Sequence, residues 1–236
     1  MKKILLVLLL VPVVSFGQLK FLPSSNGEVV EHTYYSLSYL EEHEQAEWVH
    51  YKLNSSMLTG QIPRKKNYTL DQKVSTGSAK TSDYTNSGFD RGHLVPAADM
   101  KMDFTSVKEA AYMSNISPQK PKFNQGVWKK LEENVRDLSK KTELYITTGG
   151  VLSSVDLKKI GKNNLSVPDQ FYKIIYDTKN QKMFAYLMPN KKIDSREKYV
   201  VTVDSIETLT GIDFYHQLDD ELENKLESIK NNLLWN

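Results

Sequence analysis

Three short motifs between residues 90 and 132 combine residue types that suit the hydrolysis of a phosphodiester. The first holds an arginine and a histidine, the second an asparagine and a glutamine, and the third an asparagine and a glutamate. Together they offer a neutral base, a hard-oxygen ligand for a metal ion and a clamp for phosphate. The motifs are Asp90-Arg91-Gly92-His93, Asn115-Ile116-Ser117-Pro118-Gln119 and Asn124-Gln125-Gly126-Val127-Trp128-Lys129-Lys130-Leu131-Glu132.

His93 is the best candidate for a general base, because a neutral imidazole accepts a proton from water near pH 7. On a strand, Arg91 would share a face with His93, so both would point at one substrate. The rate should then fall as the pH drops through roughly 6.5, where imidazole is protonated. Asp90 is expected to bond a loop amide or a basic residue. Asn115 and Gln119 would hold the His93 loop or bind water at a metal ion.

Asn124 immediately precedes an apolar helical face that begins at Trp128, and two roles are open to it. It would cap this helix, or its side-chain carbonyl would bind Mg²⁺, which often takes only one or two protein ligands beside substrate phosphate. Glu132 lies about two helical turns further on. It would pair with a lysine such as Lys129, or hold a water of the metal shell.

The N-terminus has the features of an export signal. Lys2 and Lys3 precede the apolar run 4–14, and small residues precede Gln18. The run of about 11 residues is shorter than the roughly 20 that span a bilayer. We therefore predict a signal peptide at residues 1–17 and one domain at residues 18–236, located in the periplasm or secreted, with no stable membrane insertion after signal removal.

The composition excludes several classes of chemistry. None of the 236 residues is cysteine, which rules out disulfides, thiol nucleophiles and iron–sulfur clusters. The chain has 31 basic and 29 acidic residues, and two of the basic ones lie in the predicted signal, so the mature chain is formally neutral. Nucleic-acid binding would therefore need a local basic patch. Residues 61–82 and 120–130 offer such patches, although charged runs are also common on solvated surface.

The pattern of apolar residues predicts an α+β fold with an antiparallel sheet. A polar segment at residues 54–88 is expected to form long loops, which often bind ligands. The predicted strands are His32–Leu40, Ala46–Leu53, Phe89–Pro96, Glu143–Thr148, Phe171–Tyr176, Met183–Met188 and Tyr199–Val203. The predicted helices are Thr105–Met113, Gln125–Lys141, a short helix that ends at Gly211, and Asp219–Asn231.

The order and spacing of the motifs resemble those of the sugar-non-specific DNA/RNA endonucleases of the ββα-metal (His-Me finger) superfamily, to which mitochondrial endonuclease G is related. The resemblance is carried by Asp90-Arg91-Gly92-His93, Asn115-x-x-Pro118-Gln119 and Asn124-x-x-x-Trp128-x-x-Leu131-Glu132. A weaker similarity extends from His32 to Gly211. The resemblance as a whole implies an antiparallel sheet core with a ββα-metal finger at the active site.

The resemblance also implies roles for individual residues. His93 would be the general base, Asn124 the direct ligand of Mg²⁺, with Mn²⁺ as a substitute, and Glu132 would lie on metal-bound water. Asn115 would lie near His93, and Arg91 would give electrostatic support. DNA and RNA would both be cut through contacts with their phosphates, with little sequence preference, to leave 5′-phosphate and 3′-hydroxyl ends.

The family uses an arginine upstream of these motifs to grip phosphate, and Arg64 is the match in this chain. Lys65 or Lys66 would be a poorer substitute, because a guanidinium binds phosphate in two places and an ammonium does not. The residues expected to be catalytic are His93, Arg64, Arg91 and Glu132. The residues expected to contact substrate are Arg64, Arg91, Asn115 and Gln119.

Two other classes of function deserve comparison. A catalytically silent nucleic-acid or envelope-binding module could share the fold, but the complete set of catalytic residue types argues against it. A different metal hydrolase would use His32, His43 and His50, which lack the HExxH spacing of zinc peptidases. The chain also has no Gly-x-Ser-x-Gly motif for a serine hydrolase.

Overall fold

A seven-stranded antiparallel sheet is the largest element of the structure. The computed structural model describes residues 19–233, so the predicted signal at residues 1–17 lies outside the described residues. The strands are β1 (Glu28–Glu31), β2 (Tyr35–Leu40), β3 (Gln45–Leu53), β4 (Asp90–His93), β5 (Ile116–Gln119), β6 (Leu144–Gly150), β7 (Lys159–Ile160), β8 (Leu165–Ser166), β9 (Gln170–Asp177), β10 (Lys182–Pro189) and β11 (Val200–Val201). The large sheet has the order β1-β2-β3-β6-β9-β10-β11, and β4 pairs separately with β5.

Four α-helices accompany the strands in the described residues: α1 (Phe104–Ala110), α2 (Lys129–Ser139), α3 (Val203–Thr210) and α4 (Asp220–Glu227). Helices α1, α3 and α4 begin with a side-chain cap. The Asp103 carboxylate accepts from the backbone N–H of Ser106 at 2.7 Å and starts α1. Gly211 ends α3 with a φ of 71°, a left-handed conformation that favours glycine.

The large sheet is covered on both faces, which explains why its central strands β3, β6 and β9 are buried along nearly their whole length. On β9, Phe171 and Ile175 pack in the cluster that contains Trp128 and Leu131 near α2. The apolar residues that alternate with them on β9 belong to a second hydrophobic cluster. In this cluster, Val203, Ile206 and Leu226 bring α3 and α4 onto the sheet. Because successive side chains of a strand point to opposite faces, α2 lies on one face and α3 with α4 on the other.

Most predicted elements are present, with shifted ends. The pairing of β9 with β10 confirms the predicted hairpin, and residues 54–88 contain only short 3₁₀ turns and loops. The single strand predicted at His32–Leu40 is wrong at its start. The backbone N–H of His32 bonds the carbonyl of Tyr35 at 2.8 Å, which closes a turn between β1 and β2 and leaves residues 32–34 outside both strands.

The predicted helix at Gln125–Lys141 begins later than expected. Residues 123–128 form a π-helical turn in which Gly126 departs from helical geometry, with φ −104° and ψ −111°. The regular helix α2 therefore starts at Lys129. The final helix is also shorter than predicted and ends at Glu227. No helix among residues 19–233 is both long enough and apolar enough to span a membrane.

Candidate active site

A cleft of about 900 Å³ lies beside the β4–β5 pair and the start of α2. Five of the predicted site residues line it together, and they come from four different parts of the chain. These residues are Arg64, Arg91, His93, Asn124 and Glu132. Two β-strands and a helix thus bring the first and third sequence motifs to one surface, which is the ββα arrangement that the sequence resemblance implied.

His93 is the last residue of β4, and Asn115 fixes the chain that follows it. The Asn115 side-chain oxygen accepts from the Val95 backbone N–H at 2.8 Å, and its amide donates to the carbonyls of Val95 and Ala110. The Asn115 side chain is completely buried. The expectation that Asn115 contacts substrate is therefore wrong, since its polar atoms hold the His93 loop, which was the other role predicted for it.

Gln119 is also buried and does not line the cleft. It pairs with Asp90 across the β4–β5 ladder, and its side chain packs against Gly92. A Cβ atom at Gly92 would lie 2.2 Å from the Gln119 side-chain oxygen, so a larger residue there would force the Gln119 side chain to shift. Direct contact of Gln119 with substrate is thus a second corrected expectation, and its place is beneath the strand that carries His93.

The surroundings of His93 keep its imidazole neutral. Burial and, to a smaller degree, the positive charge of Arg64 lower the pKa of His93 from 6.5 to about 4. The ring of Tyr68 lies 5.5 Å from the His93 ring, and the Arg91 guanidinium lies 5.3 Å from the centre of Tyr68. Tyr68 is a site residue that the sequence reasoning did not single out. Its only sequence signal was its position four residues after Arg64 in the polar loop.

Asp90 orients Asn124 through a direct hydrogen bond. The Asn124 side-chain N–H donates to Asp90 Oδ2 at 2.9 Å, and the Gln125 amide donates to the same oxygen at 2.7 Å. Because a carboxylate only accepts, the amide nitrogen of Asn124 must face Asp90 and its carbonyl oxygen is left for another ligand. The alternative in which Asn124 caps the helix is not seen, as it lies inside the π-helical turn.

Positive charge dominates the wall of the cleft. Arg64 lines it, whereas neighbouring Lys65 and Lys66 do not, so Arg64 is the residue of this basic run that is placed to contact a bound phosphate. The cations of the lining are Arg64, Arg91, Lys101, Lys129 and Arg136, and its carboxylates are Asp90 and Glu132. A chain with a net charge of only +2 thus concentrates cations where a polyanion would bind.

Glu132 stands on the first turn of α2 and is not paired with the lysine that its spacing suggested. Lys129 instead lies 3.7 Å from Glu133. Burial raises the pKa of Glu132, and Lys173 exerts the strongest opposing effect on that pKa. The Glu132 side chain lines the cleft, where its oxygens are placed to bond water.

Lys173 is a buried cation that the sequence reasoning missed. It lies on β9 among apolar neighbours, its side chain is fully buried, and Nζ has no hydrogen-bond partner among the described residues. Its Nζ is 4.9 Å from the centre of the Trp128 ring. Asp99, which Arg136 approaches at 3.2 Å, is the second carboxylate that acts on Lys173. No sequence motif pointed to this lysine, since it stands alone between apolar residues of its strand.

The three histidines considered for another metal site have separate partners. His32 bonds Asp71 at 2.9 Å, His43 bonds Ser166 at 2.9 Å, and His50 bonds Thr147 at 2.8 Å. Burial lowers the pKa of His50 to about 4, which fits a neutral ring inside the sheet. These contacts assign all three residues to packing and to hydrogen bonding.

The first prediction concerns the protonation of His93. An NMR titration of its ring should give a midpoint near 4, as the neutral form persists to lower pH when the pKa is lowered. We therefore expect base function to be lost at a pH below the value of about 6.5 that an ordinary imidazole suggests. Arg64→Gln should raise the midpoint because it removes a nearby positive charge. Lys66→Gln, outside the cleft, should not, and a wild-type midpoint at 6.5 would contradict the assignment.

Comparisons with known proteins agree with the fold and the motifs. The profile of the family described as DNA/RNA non-specific endonuclease matches residues 15–221. The chain is 33% identical over 210 residues to a nuclease of Nostoc sp., covering 82% of this chain and 75% of that protein. It is 32% identical over 198 residues to human mitochondrial endonuclease G, covering 76% of this chain and 67% of that protein.

A solved structure and a third relative extend this likeness. The fold matches a chain of a crystal structure of the EndoG/EndoGI complex with a TM-score of 0.76 and 28% identity, covering 83% of this chain and 89% of that one. Zebrafish mitochondrial nuclease EXOG is 30% identical over 220 residues, which cover 85% of this chain and 64% of that protein. The match therefore spans just under two thirds of the zebrafish protein. On its sequence and its fold, the chain belongs to the DNA/RNA non-specific endonuclease family of ββα-metal nucleases.

Proposed function

We propose that this protein is an exported, Mg²⁺-dependent endonuclease that hydrolyses phosphodiester bonds in both DNA and RNA with little sequence preference. The observation that carries the proposal is the convergence of His93, Asn124, Arg64 and Glu132 on one cationic cleft. A silent binding module would need the cations of this cleft but not a neutral imidazole beside an oriented carboxamide.

The donor set of the cleft fits a hard divalent cation. Asn124 presents a carbonyl oxygen whose orientation is set by Asp90, and Glu132 adds a carboxylate nearby in the same lining. Oxygen donors of this kind, few in number, suit Mg²⁺ better than a soft metal. Asn124 would hold the ion, and Glu132 would hold water beside it. When bound, the ion would stabilise negative charge on the phosphate and on the leaving oxygen.

The side chains of the cleft account for the remaining steps. His93 takes a proton from water while the water oxygen forms a bond to phosphorus. The bond from phosphorus to the 3′-oxygen breaks, so the products carry a 5′-phosphate and, after protonation by solvent, a 3′-hydroxyl. Arg64, with Arg91 near it, offsets charge on the phosphate. Since external water attacks, no ribose 2′-hydroxyl is required, and contacts limited to phosphate carry no base information.

Export rests on the sequence of residues 1–17, and we propose that the mature enzyme begins near Gln18 and acts in the periplasm or outside the cell. The absence of cysteine suits a protein whose stability comes from packing and bound ions in either place. The mature chain would meet nucleic acid through the phosphate-facing cleft and would not remain inserted in a membrane.

The second prediction tests the activity itself. The purified protein should cut supercoiled plasmid, single-stranded DNA and RNA in the presence of Mg²⁺ or Mn²⁺. His93→Ala and Asn124→Ala should each lower the rate by about 10²–10⁴-fold, because they remove the base and the metal ligand. Circular dichroism is the control for folding. Undiminished cleavage in excess EDTA, or nucleic-acid binding without any cleavage, would contradict the proposal.

The third prediction isolates the contact between Asp90 and Asn124. Asp90→Asn should reduce the rate about 10–100-fold and raise the Mg²⁺ concentration needed for half-maximal rate, because the carboxamide loses its fixed orientation. Gln125→Ala is the matched control, since Gln125 donates to the same carboxylate oxygen but carries no proposed chemistry. Equal effects of the two substitutions would show that the contact serves only local structure.

The fourth prediction concerns Lys173. Replacing it with methionine removes the charge that most opposes the rise in the pKa of Glu132, so that pKa should rise further. A higher pKa leaves less of Glu132 ionised at pH 7. The rate at pH 7 should therefore fall about tenfold for each unit by which this pKa rises, and it should recover at more alkaline pH. Lys182→Met, on the exposed start of β10, is the control. A loss of rate that is independent of pH would assign Lys173 to packing alone.

A further inference from the structure

A second group of acidic side chains lies across the sheet from the cleft. Asp204 and Glu207 of α3 and Glu227 of α4 each place a carboxylate oxygen within 4.8 Å of the others. In the described part of the chain, this is the one group of three histidine, aspartate or glutamate side chains close enough to share a metal ion. Because α3 and α4 pack on the face opposite α2, this acidic group is separate from the cleft.

The innermost member of the group is a buried carboxylate without a partner. Glu227 is only 4% exposed, and its Oε1 accepts no hydrogen bond from any described residue. Buried polar atoms in folded proteins are nearly always bonded, and an uncompensated buried charge is costly. The side chain nevertheless turns toward Asp204 and Glu207, where it meets further negative charge. An unpaired buried acceptor that faces two more acceptors points to a missing cation.

The charges around Glu227 leave this acidic group without compensation by the protein. Its four strongest charge interactions are all with carboxylates, namely Glu207, Glu223, Asp204 and Asp213. Burial and these neighbours together raise the pKa of Glu227 to about 9. One member is already held in place, because Glu207 Oε1 accepts from the Phe214 backbone N–H at 2.8 Å. The site is thus built on two helices and the loop that joins them.

We propose that Asp204, Glu207 and Glu227 bind a structural Ca²⁺ ion that ties α4 to α3. Calcium bonds oxygen at about 2.3–2.6 Å, so two ligands on opposite sides of it lie roughly 4.6–5.2 Å apart. Magnesium bonds at about 2.0–2.1 Å, demands a near-ideal octahedron and is usually held by only one or two carboxylates, so a group of three carboxylates suits calcium better. The donors are all hard oxygens, and exposed Asp204 leaves the outer side open for water ligands.

Such an ion would act as a cross-link in a chain that has no disulfide. The buried side chains Val203, Ile206 and Leu226 already dock the two helices on the sheet. The ion would relieve the repulsion among the carboxylates at the place where α4 ends. Because binding to the folded state alone adds stability by mass action, unfolding should then depend on the calcium concentration.

The test is thermal unfolding of the full protein, first stripped with EGTA and then supplied with CaCl₂. At saturating calcium, the melting temperature should rise by at least about 3 °C. Asp204→Asn and Glu207→Gln should each reduce this rise, and the double variant should abolish it, while Mg²⁺-supported nuclease activity at low temperature is retained. Glu221→Gln, an acidic neighbour on α4 outside the group, is the matched control and should keep the full rise.

A further variant separates this site from the catalytic one. Asn124→Ala should show the same calcium-dependent rise as the wild type, because the proposed ligands lie on the other face of the sheet. Magnesium at the same concentration should give a clearly smaller rise in that variant. The proposal is overturned if calcium leaves the wild-type melting temperature unchanged, if the rise survives in the double variant, or if it disappears in Asn124→Ala.

Discussion

The hydrogen bond between Asp90 and Asn124, residues 34 positions apart in the chain, joins the first and third motifs. Asp90 is fixed by the pairing of β4 with β5, and Asn124 by the π-helical turn that leads into α2. Because the carboxylate can only accept, it dictates which end of the carboxamide faces the cleft. The orientation of the proposed metal ligand therefore depends on a strand register and on a helix start.

Buried charge extends from the floor of the cleft into the sheet. Lys173 reaches the vicinity of Glu132 and Asp99 from β9, although the neighbours of that lysine along the strand are apolar. Tyr51 donates to Asp99 at 3.1 Å and Arg136 approaches it at 3.2 Å. Burial alone would favour the neutral acids, and these cations oppose that effect. The charge of the catalytic region is thus set partly by residues that never touch the cleft surface.

The balance of 31 basic and 29 acidic residues hides a strong separation of charge. Cations line the cleft on the α2 side of the sheet, while carboxylates gather on α3 and α4 on the other side. The cations of the cleft would attract a polyanion to that side of the sheet. Net charge alone, near zero for the mature chain, gave no sign of this arrangement.

The motifs predicted well which side chains share the cleft, because the members of each motif are close in sequence. His93 follows two residues after Arg91 on a strand, and Glu132 follows Asn124 by eight residues near the start of one helix, so local geometry brings each pair toward the same side. The hairpin of β9 and β10 and the helix end at Gly211 were equally local. The sequence overestimated Asn115 and Gln119, because exposure is a property of the packed fold and both side chains are buried.

What the amino-acid sequence determined by itself is therefore the family, the set of catalytic residue types and the periodic elements that carry them. Only the tertiary structure decided which end of the Asn124 carboxamide faces Asp90, that Tyr68 lies beside His93, and that Lys173 lies near enough to Glu132 to oppose the rise in its pKa. It also brought Asp204 and Glu207 against Glu227. These relationships join residues far apart in the chain, and burial and electrostatic interaction between them arise only when sheet and helices are packed together.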